Sequence, residues 1–287
     1  MKIVTDCAAD LTPAEAQELG VTIAPLFIQF PEGEVNASDL TPHQFYDRLE
    51  AMQPVIPTTA QPSEGIFTEI YRKVAEKGEQ VLSIHISSGL SGTLNSAVQA
   101  AKNFAPNQIH VVDTLTLSGG ERFQVLAAAR AVKAGWAKDA ILERLEVIRK
   151  STEVIYTLDT LTYLARGGRI GRVQALAGSL LGLKPVIHVD KTDGKYSTVS
   201  KARTIGRALE EIGDHLAELY PRDVPVWVSV LHGKFGEKAD SLASLLSERL
   251  NIARLEIQRI SPVLGVHTGP GIVGATVLPM KLMEDIQ

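Results

Sequence analysis

Seven consecutive residues, Ser87-Ser88-Gly89-Leu90-Ser91-Gly92-Thr93, bring four hydroxyls and two glycines into one short stretch. An apolar run precedes them and a helical run through Asn95–Phe104 follows. Hydroxyls beside the free amides of a helix N-terminus offer donors and a positive dipole end, which suits a carboxylate or a phosphate. A single Ser or Thr there is as often a plain helix cap; several around two glycines point to an anion site. A second polar loop, Pro57-Thr58-Thr59-Ala60-Gln61-Pro62-Ser63, also leads into a helical run, although loops are commonly built from such residues. Ala165-Arg166-Gly167-Gly168-Arg169-Ile170-Gly171-Arg172 holds three arginines and three glycines. An arginine in this loop can hold an anion through paired N–H donors, and the bland alternative is a solvated basic turn. His267 lies in Val266-His267-Thr268-Gly269-Pro270-Gly271. A lone histidine is usually structural and gains meaning only if the fold carries it to the hydroxyl loops.

Several enzyme templates are absent. There is no G-x-x-x-x-G-K-[ST] phosphate loop and no G-x-G-x-x-G after the first strand. Gly89-Leu90-Ser91-Gly92-Thr93 lacks the second glycine of a G-x-S-x-G elbow, because Thr93 takes its place. The seven histidines show no H-x-x-x-H or H-x-H spacing, so a metal site would need long-range assembly and none is expected. A net charge of -4 without basic runs gives no footprint for nucleic acid. The single cysteine, Cys7, fits a reducing compartment, and the polar N-terminus carries no signal-peptide pattern, so the expected location is cytoplasmic.

The elements that must position these loops form an α/β pattern. Lys2–Thr5, Val21–Phe30, Gln80–Ile86 and Ile109–Val112 read as strands. Helical runs begin after Thr12-Pro13, Thr41-Pro42 and Ser63-Glu64, and two more cover Glu121–Ala134 and Asp139–Arg149. Mostly parallel strands follow from this rhythm, with a ligand outside their carboxyl ends, where the polar loops fall. The character changes near residue 152. Beyond it, Pro185–Val189 and Lys195–Ser200 flank the turn Thr192-Asp193-Gly194, Val224–Val230 and Arg254–Ile260 read as strands, and Thr204–Leu219 and Glu237–Leu250 as helices. The expectation is two α/β domains, residues 1–152 with a mostly parallel sheet and residues 153–287 with a mixed sheet, enclosing a ligand between them.

Taken in order, Ile3-Val4-Thr5-Asp6, Thr59-Ala60-Gln61-Pro62-Ser63, Ser87 to Thr93, Arg166-Gly167-Gly168-Arg169-Ile170-Gly171 and His267-Thr268-Gly269-Pro270-Gly271 resemble the motifs of the DegV family, which includes the FakB fatty-acid-binding proteins. The resemblance covers nearly the whole chain. It implies one long-chain fatty acid, such as palmitate, between two α/β domains. Thr59 and Ser91 match the family's threonine and serine at the carboxylate, and Arg169 and His267 match its arginine and histidine. The resemblance also implies a carrier without catalytic residues or cofactor, which presents the acid to a separate fatty acid kinase for phospholipid synthesis and touches membranes in passing. Cys7 and Ala60 stand where the family often has serine, and Ala60 leaves one hydroxyl fewer near the head group.

Elementary energetics is compatible with that role. Burying about fifteen carbons at roughly 0.8 kcal/mol each gives on the order of 12 kcal/mol before the cost of association. The carboxylate must find donors or protonate; Thr59, Ser91, the amides of Gly92 and Thr93, and Arg169 are the groups to supply them. Leu176, Leu180, Leu181, Leu183 and Ile187, beside Gly178, Ser179 and Gly182, are candidates for the tail lining, as they are for ordinary core. Two alternatives remain open: a serine acyl hydrolase or transferase using Ser91 with His267 as base, and a module that senses a smaller anion.

Overall fold

The computed structural model describes residues 1–173 and 182–286. Three sheets organise them. The first is parallel throughout, in the order β2 (Thr22–Ala24), β1 (Lys2–Asp6), β6 (Val81–His85), β7 (Ile109–Asp113). Strand β6 is buried along its whole length, as a central parallel strand covered on both faces should be. A small antiparallel sheet joins β4 (Gly33–Asn36), β3 (Phe27–Phe30) and β5 (Thr58–Ala60). The sequence pattern gives no sign of this sheet, and Val21–Phe30 reads as a single strand. Pro25 separates β2 from β3, since a proline has no N–H for the ladder, and the two halves enter different sheets.

The third sheet is mixed: β10 (Tyr196–Ala202), β9 (Lys184–Val189), β8 (Glu153–Leu158), β13 (Ile272–Pro279), β11 (Pro225–His232), β12 (Asn251–Arg259). Strands β9 and β10 form the hairpin expected around Thr192-Asp193-Gly194. All strands of the first two sheets precede residue 152 and all strands of the third follow it. Alternation gives the third sheet two apolar faces. Ile155, Val186, Val228, Val230 and Val273 pack under helices α8 (Ile205–Leu219) and α9 (Gly236–Arg249). Val154, Tyr156, Ile187, Val189 and Tyr196 face a second cluster shared with the polar loops.

Helices begin where caps dictate. Thr12 and Glu15 form a capping box with Pro13 at the first turn of α1 (Pro13–Leu19), and Thr41 with Gln44 repeats it for α2 (Pro42–Ala51). Helix α5 (Gly119–Lys133) is buried over most of its length, in contact with β1 and β6 of the parallel sheet and with β8 and β13 of the mixed one. Gly119 permits that approach, because a Cβ there would lie 2.5 Å from Thr276 Oγ1. Phe123 on α5 meets Trp227 on β11 with ring centroids 5.0 Å apart. No helix among the described residues is long and apolar enough to cross a membrane.

Candidate functional site

The loop after β6 does not spend its hydroxyls alike. Ser87 Oγ donates to the carbonyl of Gly194 at 2.9 Å and accepts from the Gly89 amide at 3.1 Å, which ties the loop to the β9–β10 turn. Ser88 Oγ donates to Asp113 Oδ2 at 2.5 Å. Thr93 is fully buried and its hydroxyl lies 2.9 Å from Ser91 Oγ, which also accepts from the Thr93 amide at 3.3 Å. Three of the four hydroxyls therefore shape the loop, and Ser91 is left at a cavity. Thr93 acts on Ser91, and its amide is already engaged.

Strand β1 ends in Asp6, which braces the same region from inside. Its carboxylate accepts from the amides of Ala8 at 3.0 Å and Ile86 at 3.1 Å, and lies 3.0 Å from His85 Nδ1. The chain continues through Ser83 Oγ, 2.7 Å from His85 Nε2, to Tyr71 Oη at 2.8 Å. All four side chains are buried, so this Asp-His-Ser-Tyr series fixes the ends of β1 and β6 and touches no solvent. Its only trace in sequence is the polar interruption of apolar strands by Ser83 and His85.

Thr59, Ser91, Arg169 and His267 line one cavity, together with Leu90, Tyr196 and Leu264. The fold thus gathers residues from β5, the loop after β6, the glycine-arginine loop and α10 (Pro262–Thr268). Thr59 Oγ1 lies 2.8 Å from His267 Nε2. His267 Nδ1 is buried and has no partner among the described residues. Gly167 backs it closely, since a Cβ there would sit 2.2 Å from Nδ1. Burial, aided by the charge of Arg169, holds the His267 imidazole down to about 4, so it is neutral at pH 7. If Nε2 carries the proton, it donates to Thr59 and frees the threonine hydroxyl to donate to a ligand. Arg169 Nη1 donates to the Gly167 carbonyl at 2.7 Å and Nε to Leu90 at 3.3 Å, which orients the guanidinium. Of the neighbouring arginines, Arg172 pairs with Asp190 and Asp193, and Arg166 is exposed.

Two further spaces adjoin this cavity. Outward, a cleft of about 430 Å3 is lined by Ser88 to Gly92, Gly168, Arg169, Gly171, Lys195 and Tyr196. Gly92 belongs to this outer cleft. Inward lies an apolar pocket whose walls include Leu117, Val154, Tyr156, Leu231, Ile260 and Ile272. Tyr196 and Leu264 line both the inner pocket and the Thr59–His267 cavity, so the two spaces are adjacent across these side chains. The polar cavity and the inner pocket each measure about 30 Å3.

The tail candidates fare differently. Residues 176 and 178–181 lie outside the described residues. Ile187 is buried in the adjacent core, Leu183 is half-buried and Gly182 exposed, and none of the three lines the polar cavity or the inner pocket. The inner pocket is lined from β8, β13 and α10, with Leu117, Tyr196, Leu231 and Ile260. The Ser91–His267 pair needed by an acyl hydrolase is not made: Ser91 bonds Thr93, and His267 bonds Thr59 with no carboxylate behind it among the described residues.

A family model described as "Uncharacterised protein, DegV family" matches residues 1–280. The chain belongs to the DegV family. A DegV domain-containing protein of Deinococcus radiodurans is 35% identical over 277 residues, 96% of this chain and 95% of the relative. A Thermus thermophilus DegV family protein, described by its fatty acid binding, superposes with a TM-score of 0.90 at 32% identity, over 97% of this chain and 99% of the other. A stearic acid-binding protein of Eubacterium ventriosum superposes with a TM-score of 0.87 at 26% identity, over 97% and 98% of the two chains. The fold of this DegV chain is thus the one adopted by fatty-acid-binding relatives.

Proposed function

We propose that this DegV chain binds one long-chain fatty acid and carries it in the cytoplasm to a separate kinase that acts on the carboxylate. The observation that carries the reading is the adjacency of a polar cavity to an apolar pocket across Tyr196 and Leu264. The carboxylate takes donors from Thr59 and Ser91, with Arg169 as the nearby cation and His267 holding Thr59 in place. The tail passes Tyr196 and Leu264 into the pocket between β8, β13 and α10. At about 30 Å3 each, these spaces admit an acyl chain only as their walls part, so binding is coupled to a shift of side chains such as Leu264.

A carrier must also expose the carboxyl group to its acceptor. Ser91 and Arg169 border both the inner cavity and the outer cleft, which puts the head group within reach of solvent and of a second protein. Palmitate binding measured by equilibrium dialysis, with and without added fatty acid kinase and ATP, tests both halves. The reading expects one palmitate per chain and its conversion to an acyl phosphate. No palmitate binding defeats the first half; binding without any stimulation of a kinase defeats the second.

A further inference from the structure

On the other side of the mixed sheet, away from the proposed lipid site, three residues distant in sequence converge. Glu153 opens β8, His188 lies in the paired strand β9, and His215 comes from α8. Ile155 and His188 stand opposite each other in the ladder, so Glu153, Ile155 and His188 share the face covered by α8, while Val154, Tyr156 and Ile187 face the cavity side. Glu153 Oε1 lies 2.8 Å from His188 Nδ1 and 3.2 Å from His215 Nε2, and the three donor atoms all fall within 4.8 Å of one another. Glu153 is 3% exposed in its side chain, and the two histidines 27% and 22%.

We propose that Glu153, His188 and His215 bind a divalent transition-metal ion of the zinc class. Two imidazoles and one carboxylate match the donor preferences of Zn2+, Co2+ and Ni2+ and are poorly suited to Mg2+ or Ca2+. Bond lengths near 2.0–2.1 Å place the ligands of a tetrahedral ion about 3.3 Å apart. The separations of 2.8 and 3.2 Å therefore open by about 0.5 and 0.1 Å, while the two ring nitrogens, within 4.8 Å of each other, adjust to the same spacing. To bind the ion, each ring turns a lone pair rather than an N–H toward it and carries its hydrogen on the other ring nitrogen. The partial exposure of both histidines leaves the remaining coordination positions to water. Lys191 lies 3.0 Å from the other carboxylate oxygen, Oε2. It leaves Oε1 to the metal while its charge opposes the ion, so affinity is held below what the three ligands alone would give.

The test is Co2+ titration of chelator-treated, tag-free protein, followed by visible d–d absorption, with Zn2+ competition. One saturable site per chain is expected. His188→Gln or His215→Gln removes a direct ligand and should weaken binding by more than the roughly 10- to 100-fold that loss of an outer partner costs. Lys191→Gln should bind more tightly than the native chain. Circular dichroism establishes that each variant is folded. Absence of saturable binding overturns the proposal, as does binding that both histidine variants retain or that Lys191→Gln fails to strengthen. The readout needs no fatty acid, so it stands or falls separately from the lipid site.

Discussion

Replacing Thr59 by Val removes one hydroxyl while keeping the branched shape, and so isolates the head-group contact. Thr59 sits on β5 with its hydroxyl 2.8 Å from His267 Nε2, and no other side chain on β5 lines the cavity. A hydrogen bond to a charged group is worth about 1.5–3 kcal/mol. Palmitate affinity should therefore fall by roughly 10- to 150-fold. The free protein leaves the buried His267 Nε2 without its partner, a cost of about 1–3 kcal/mol, and circular dichroism establishes that the variant is folded. A fatty alcohol of the same length supplies the control. Its hydroxyl carries no charge, and a neutral bond of about 0.5–1.5 kcal/mol gives a loss of roughly 2- to 10-fold. Displacement of a fluorescent fatty acid measures both ligands on both proteins. Palmitate affinity within twofold of the native protein, or equal losses for acid and alcohol, would refute the placement of the carboxylate at Thr59.

Gly167→Ala places a methyl 2.2 Å from His267 Nδ1; the ring must move, and palmitate affinity should drop about tenfold or more as Thr59 loses its orienting partner, whereas unchanged affinity would deny His267 that part. Leu264→Trp enlarges a side chain that lines both the polar cavity and the inner pocket; palmitate binding should be lost while a short-chain acid still competes at the polar cavity, and intact palmitate binding would place the tail elsewhere. His267, held down to about 4, takes its proton later than an unfolded histidine near 6.5. Its contribution to stability is complete above pH 6.5 and is lost as pH falls through about 4, on the order of 3 kcal/mol. Asp10, pushed up to about 6 by burial, has the opposite sign, so the difference between native and His267→Gln stability is the quantity to follow. Urea unfolding should show that difference shrinking from pH 7 to pH 4, and a constant difference would refute the buried neutral imidazole.

Much of the site could be read from residue types because its loops end strands. Thr5-Asp6 and the Ser87–Thr93 stretch are polar residues at or after the ends of the parallel strands β1 and β6, while Thr59, read as part of a loop, lies on β5 of the small antiparallel sheet. The distribution of labour among them could not be read. Ser87, Ser88, Ser91 and Thr93 look equivalent in sequence, yet only the fold reveals that Gly194 engages Ser87, that Asp113 engages Ser88, that Thr93 is buried against Ser91, and that Ser91 is the one left at the cavity. The helix that carries His267 escaped because it has seven residues with Gly265 at its centre. Strand β13, Ile272-Val273-Gly274-Ala275-Thr276-Val277-Leu278-Pro279, is buried throughout and shows no alternation to betray it. The apolar run with Leu176, Leu180, Leu181, Leu183 and Ile187 stays a candidate tail lining or core in sequence, because apolar character alone cannot tell wall from core; Tyr196 and Leu264 line both spaces through contacts that only the tertiary structure creates. Glu153, His188 and His215 lie 35 and 62 positions apart from the glutamate, beyond any local metal-ligand spacing.

The central claim, one fatty acid held by its carboxylate in this chain, is tested most directly by native mass spectrometry of protein purified from a bacterial host, followed by denaturation and identification of the released molecule. The account predicts a near-stoichiometric long-chain fatty acid in the native protein and its loss from the Thr59→Val, Ser91→Ala double variant. A protein that carries no lipid and takes up none when palmitate is added would contradict it.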